Sequence, residues 1–570
     1  MHRSAVRGGL AGIIMAAACT ALPAPAPQAA QEREIAGGIA GSGMMSGGID
    51  RQADDCPRGA RPGEILWTFA VPGARDSVTE IPAVADDGTV YLVTSEGLLY
   101  AVDCRGIERW RFDTGEHVQA GLDVNRIIDP PAIGGDGTIY LVSSHRVTGR
   151  LPSVDMVWAI RPDGELIWRY GKDDQAQHPI LFGSLVIDTS GHVMFGGRAF
   201  HDDVHEGLIT ALARDGQPLP GFPIASRPIF HGSAGLADGR VVFVSDAVPE
   251  FVATATRVRS PTPTPTARPA TPTLLAPSPS PTRRATATIT PLPVHLAHLP
   301  WAGTQHLGEA RANWRSGLGR LRERDAAEPR DRRGGPSGVT AHSRAELRVI
   351  ANAEAPGASF DHGERVFVSP LVAAGDMIVT QVITVVGATV EGPPRIEGWS
   401  LRSNPPSLLW HHQPRTGAID TALIGDLDPL RGTAELIYLD SSGLIVSLAV
   451  PTDPDAMRPP TFNWVRDLGS NALRGPVLGD GGYVYAEVDG DTIVAVDRDD
   501  GSDGWSLDLG GERVVAALTL APGGVLYAGT SEGAGSGKLY AIATESRGLD
   551  PDAAWPALRG DRRNTGRARR

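Results

Sequence analysis

Apolar residues in this chain come in short runs of four to six, punctuated by turn-forming pairs, and not at the 3.6-residue spacing of a helix. The clearest stretch runs from Ile81 to Trp110 and reads "IPAVADDGTVYLVTSEGLLYAVDCRGIERW". Asp87 and Gly88 suit the positive backbone angles of a tight hairpin, and Val90 and Leu92 begin the strand that follows. Asp136-Gly137, Ser190-Gly191 and Asp238-Gly239 repeat that turn, with successive glycines 49, 54 and 48 residues apart.

That step is about the length of a four-stranded antiparallel unit, whose apolar faces are covered only when neighbours stack on both sides. The pattern predicts an all-β chain folded as a single β-propeller. Copies beginning near residues 81, 130, 179, 228, 369, 417, 476 and 517 give eight blades, with seven as the alternative because the copy at 228 is broken. The segment "EILWTFAVPG" has the ending of an outer strand with no earlier strands of its own, whereas "LTLAPGGVLYAGTSEGAGSGKLYAIATESRG" has three strands and lacks that ending. Pairing the two closes the ring and places Trp67 beside the strand around Tyr540, which removes exposed sheet edges.

Domain limits follow from where the pattern stops. Residues 1–30 read as a signal peptide, 31–63 as a flexible Gly-rich tether, 64–249 and 343–550 as the two halves of the propeller, and 551–570 as a basic, solvated tail. Residues 250–342 contain "SPTPTPTARPATPTLLAPSPSPT" and are expected to form a disordered Pro/Thr/Arg-rich insertion. The alternative is a linker between two independent domains. Residues Ala345 to Asn352, just past the insertion, read as the outer strand of the fourth blade.

Composition narrows the function classes. The formal net charge is −13, and the basic residues that do cluster lie in the insertion and in 551–570, so nucleic acid is not an expected partner. His2, Arg3 and Arg7 precede an apolar run from Leu10 to Leu22 that is short for a bilayer span, which predicts export to the periplasm, cell envelope or extracellular space. Membrane attachment is expected only through a lipid at Cys19, the other route being cleavage in "LPAPAPQAA". Either route leaves Cys56 and Cys104 in an oxidising compartment, where they either form a disulfide or remain two thiols.

The run Leu99, Tyr100, Ala101, Val102, Asp103, Gly106 and Trp110, repeated as Ile493 to Asp497 with Trp505, resembles the pyrroloquinoline-quinone-like (quinoprotein-type) propeller repeat. The ending "AWPALRGDRRNTGRARR" is similar to a segment that accompanies such propellers in exported bacterial proteins. The resemblance implies tryptophans that pack between blades. It offers two functions: a non-catalytic exported module binding an envelope protein, peptide or polysaccharide, or a PQQ- and Ca²⁺-dependent alcohol or sugar oxidoreductase. The chain has no Cys-Cys pair, and no motif matches the dehydrogenases' acidic base or metal ligands, so no catalytic residue is assigned. The non-enzymatic branch, with no cofactor and a monomeric protein, is the expectation.

Three local clusters carry metal or phosphate chemistry on their face. "ALIGDLDPLRGTAELIYLD" looks like an acidic Ca²⁺ loop with Asp426, Asp428 and Glu435 as ligands, although Pro429, Leu430 and Arg431 stand where more oxygens are needed, as in a degenerate turn. "FHDDVHEG" brings His201, Asp202, Asp203, His205 and Glu206 into one loop, where solvated side chains are the simpler account, and His411 and His412 read as packing. "EGAGSGKL" before Lys538 lacks the first Gly and the Ser or Thr of a phosphate loop and sits in a hairpin.

Overall fold

The computed structural model describes residues 56–569 except 58–59, 74–75, 119–123, 147–153, 172–178, 182–184, 202–203, 227–232, 246–248, 254–338, 344–345, 351–358, 362–364, 387–388, 404–405, 416–418, 429–431, 441, 454–457, 470–473 and 532–535. The signal-peptide reading, Cys19 and most of the tether therefore lie outside the described residues.

Strands account for nearly all regular structure, and the described residues contain no α-helix, only a single 3₁₀ turn at Thr114–His117. Among the described residues, eight antiparallel sheets of four or five strands follow one another, together with a two-stranded ribbon. The first sheet comprises Ala83–Val84, Val90–Val93, Leu98–Val102 and Glu108–Asp113 in that spatial order. The second to eighth sheets lie within 124–170, 179–226, 233–361, 365–412, 419–467, 474–508 and 513–543. Ile65–Ala70 completes the eighth, with Trp67 opposite Ala541 and Thr68 opposite Tyr540, so the expected closure holds and the fold is a β-propeller.

Position in the sheet explains the sequence pattern. Val90–Val93 is covered on both faces and is continuously apolar, whereas Glu108–Asp113 lies outermost and alternates polar with apolar. Seven hydrophobic clusters fill the seams. Tyr91 and Leu99 meet Ile139 and Trp158 between the first two sheets, and Phe69 and Tyr527 meet Val90 and Tyr100 where the ring closes.

The tryptophans of the outer strands reach across these seams. The Nε1 of Trp67 donates to the Cys104 carbonyl (2.7 Å), Trp110 to Pro162 (2.8 Å), Trp168 to Arg214 (2.7 Å) and Trp464 to Arg498 (2.6 Å). Each tryptophan lies against the turn of the next sheet. A Cβ on Gly106 would come within 2.7 Å of the Trp67 ring, and that glycine also has φ +82°. The Gly-x-x-x-Trp pattern thus records two different seams.

A disulfide joins Cys56 to Cys104, with Cα atoms 5.4 Å apart, on the same turn that receives Trp67. The Gly63 amide donates to the Ala543 carbonyl (2.9 Å), so the end of the expected tether, 60–63, is already part of the fold.

Two boundaries differ from the sequence reading. Glu346–Ile350 is the third strand of the fourth sheet, paired with Val241–Ser245, and Ser359–Asp361 is its outermost strand. The insertion therefore interrupts the hairpin between second and third strands. Its ends are strands as well: Pro249–Ala253 pairs with Val339–Ser343 as a ribbon, and 254–338 lies outside the described residues. Alternating prolines mark the middle of the insertion but say nothing of its flanks. The described residues of both propeller halves fall within one compact unit.

The hairpins joining second and third strands are unequal in length. They are short in the first sheet (Val90–Val93, Leu98–Val102) but long in the third (Val193–His201, Val204–Leu212) and fifth (Met377–Val386, Thr389–Ser400). About five extra residues per strand extend such a hairpin by roughly 15 Å. The second sheet's hairpin (Ile139–Arg146, Val154–Ile160) is also long, and the fourth sheet carries the ribbon between its second and third strands. No described helix is long and apolar enough to cross a membrane.

Candidate functional site

The innermost strands of the first four sheets are only two or three residues long and turn one edge toward the ring axis. A buried N–H on that edge needs an acceptor. The amides of Val84, Ile133, Ile187 and Gly235, which recur at the repeat spacing, donate to the carbonyls of Arg562, Arg563, Thr565 and Gly566 at 2.8, 2.8, 3.0 and 2.7 Å. The Leu478 amide donates to the Pro556 carbonyl (2.8 Å), and Ala553–Trp555 pairs with the sixth sheet, Trp555 opposite Ile424. One segment thus bonds to six sheets, which places it on the axis.

This corrects the expectation of a solvated tail at 551–570. Trp555, Arg559 and Asn564 are 1%, 3% and 2% exposed. Charge density suggested solvent, but backbone acceptors were what the inner strands required.

Local sequence lets the segment fold tightly enough to do this. The Asp561 carboxylate accepts the amides of Arg563 (2.9 Å) and Thr565 (3.2 Å) and the Thr565 hydroxyl (2.6 Å). Asn564 has φ +54°, a left-handed conformation that asparagine tolerates better than most residues. Its side-chain amide faces the carbonyls of Ile81 (3.2 Å), Pro82 (3.3 Å) and Pro131 (3.0 Å), joining the first and second sheets.

Arg559, Arg562, Arg563 and Arg569 of the segment each reach a carbonyl or carboxylate oxygen. The Arg559 guanidinium donates to the Leu185 carbonyl; burial pushes its pKa down, opposed by Asp129, Asp561 and Glu80. Arg562 and Arg563 both hold the Asp86 carboxylate, and the Arg563 hydrogen bond leads in keeping that carboxyl below its usual range. Arg569 donates to the Asp550 carbonyl (2.9 Å).

The Ca²⁺ ligand set is differently occupied. Arg498, from the seventh sheet, places Nη2 3.1 Å from Asp426 Oδ1 and 2.7 Å from Glu435 Oε2, and Nη1 2.6 Å from Asp550 Oδ2. Ser447 Oγ donates to the other Glu435 oxygen (2.9 Å). A guanidinium therefore stands among the carboxylates expected to meet a cation. Burial opposes its charge, and Glu435 and Asp426 more than offset that, raising its pKa. The backbone of Asp428 pairs with Thr433.

The remaining candidates separate. Asp202 and Asp203 lie outside the described residues, while His201, His205 and Glu206 occupy backbone positions opposite Val204, Phe200 and Ala199. His412 shares a hydrogen bond with the Tyr438 hydroxyl (2.8 Å), and burial, with His411 adding to it, lowers its pKa. Lys538 pairs with Glu512. Among the described residues no group of three or more His, Cys, Asp or Glu is arranged to hold a metal ion.

The sequence reading missed one polar network. Ser143 Oγ lies 2.6 Å from His145 Nε2, and His145 Nδ1 lies 2.8 Å from Asn125 Oδ1. The order matches nucleophile, base and orienting group, but Ser143 and His145 are fully buried and Trp158 Nε1 donates into the same hydroxyl (2.6 Å). Ser143 and His145 lie on the strand Ile139–Arg146 of the second sheet, and "SSH" at 143–145 was the network's only trace in the sequence.

The family model described as outer membrane protein assembly factor BamB matches residues 59–248 and 461–551. No curated protein matches the sequence. Among solved structures, the quinohemoprotein alcohol dehydrogenase from Comamonas testosteroni is similar at 11% identity and TM-score 0.44, covering 85% of this chain and 76% of that one. Sqt1 from Saccharomyces cerevisiae is similar at 10% identity and TM-score 0.43, covering 85% of this chain and 100% of that one.

Proposed function

We propose that this β-propeller chain, which is similar over 59–248 and 461–551 to the pyrroloquinoline-quinone-like repeat family, is an exported, non-enzymatic binding or scaffold module of the cell envelope. Its partner would be an envelope protein, peptide or polysaccharide bound at the face that carries the long hairpins. The observation behind this reading is the axis filled by the chain itself: the inward N–H groups of four sheets are matched to carbonyls of 562–566. Binding specificity then falls to loops and hairpins, the usual carriers of function on a rigid scaffold.

A Ca²⁺-bound quinone needs free carboxylate and amide oxygens and open space along the axis. Asp426, Glu435 and Asp550 are held by Arg498, and Asp86 by Arg562 and Arg563. These residues do not fit the group.

The description of the matched family, an assembly factor at the outer membrane, favours a protein partner. Photo-crosslinking residues placed at Val204 and Thr389, on the hairpins, and at Ile107 and Val465, on the outer rim, test the assignment in cells. Adducts from the hairpin positions alone support it; adducts from the rim alone overturn the face. Dye-linked oxidation of an alcohol or sugar after addition of PQQ and Ca²⁺ to the full chain overturns the non-enzymatic reading.

A further inference from the structure

We infer that residues 553–569 form a strap that closes over the axis as one cooperative unit and couples sheets encoded on both sides of 254–338. The amides of Val84, Ile133, Ile187 and Gly235 belong to the first four sheets, whereas Ile424 and Leu478 belong to the sixth and seventh; all pair with this one segment. Its own bonds hold it together: Gly566 N–H to the Arg559 carbonyl (3.0 Å), Arg569 N–H to the Ala554 carbonyl (2.9 Å), and the Asp561 carboxylate on Arg563 and Thr565. The Arg569 bond returns the segment to its own beginning, beside the buried Trp555. A loop closed on itself releases as a whole, so losing grip at Trp555 loosens contacts made by the distant residues 562–566. The outer ladders of each sheet do not use the strap and stay paired when it opens.

Native-state hydrogen exchange on the full chain tests this, with Trp555→Phe as the perturbation and Ala554→Gly as a second variant should the first fail to fold. In the unaltered chain the four amides of Val84, Ile133, Ile187 and Gly235 exchange at one common rate. In either variant all four accelerate together, by about tenfold for a perturbation of about 1.4 kcal/mol, while second-strand amides of the first two sheets keep their rates. Acceleration confined to Ile424 and Leu478, next to Trp555, overturns the inference. So does a spread of more than tenfold among the four amides, or equal acceleration of the second strands, since the opening would then be local or global and the strap not a unit.

Discussion

Replacing Asn564 tests whether the axis is held by specific hydrogen bonds or by general packing. The residue is 2% exposed, has φ +54°, and directs its amide at three carbonyls. Pro82 keeps a second donor, the Thr519 hydroxyl at 2.8 Å, so the substitution withdraws the amide chiefly from Ile81 and Pro131. Leaving a buried carbonyl unmet costs about 1–3 kcal/mol, and forcing alanine into the left-handed region adds about 1–2 kcal/mol. Asn564→Ala is therefore expected to lose about 3–8 kcal/mol, a large share of the roughly 5–15 kcal/mol that holds a typical domain folded. Asn564→Gly keeps the backbone conformation and loses only the hydrogen bonds, so it should be milder by about 1 kcal/mol or more. Asn564→Asp tolerates the backbone but points a carboxylate at the same carbonyls, and should be worse than glycine. Urea unfolding followed by tryptophan fluorescence gives the three values at matched m. A loss under about 1 kcal/mol for Asn564→Gly would show that the carbonyls do not depend on this side chain, and the reasoning would fail.

Removing the disulfide by Cys56→Ser with Cys104→Ser, across a sequence separation of 48 residues, should lower stability by about 4 kcal/mol in the chain-entropy treatment; denaturation midpoints with and without reductant read it, and an unchanged midpoint contradicts it. Arg498→Met strips the cation from Asp426, Glu435 and Asp550 and should cost about 3–5 kcal/mol near neutral pH. Urea denaturation midpoints read this loss, and an unchanged midpoint contradicts it. Burial pushes the phenols of Tyr91 and Tyr140 up to about 12. Their folded values exceed the ordinary 10, so the stability they contribute is present below pH 10 and is lost as pH rises from 10 to 12. Tyr91→Phe with Tyr140→Phe should flatten the alkaline limb of a stability–pH curve, and an identical limb would refute the assignment.

Strand positions, hairpin turns and ring closure were legible in the linear chain because each depends on neighbours a few residues away or on a repeated phrase. The apolar run at Val90–Val93 and the alternating Glu108–Asp113 reveal which strand lies between sheets and which faces water. The unmatched outer strand at Trp67 revealed its partner, because a repeat lacking one strand must find it elsewhere. The Gly-x-x-x-Trp phrase was visible too, but the packing of Gly106 on Trp67 of the preceding strand was not.

Only tertiary structure decided the fate of the arginine-rich segment, the acidic loop and the strand after the insertion. Residues 553–569 look like a solvated tail until four sheets stand around an axis with unmatched N–H groups, a condition that exists nowhere in the local sequence. Asp426 and Glu435 resemble cation ligands until Arg498 arrives from the next sheet. Glu346–Ile350 looks outermost until Ser359–Asp361 takes that edge. In each case the deciding partner is distant in sequence, and its approach is set by the assembled ring, so no local pattern of residues could announce it.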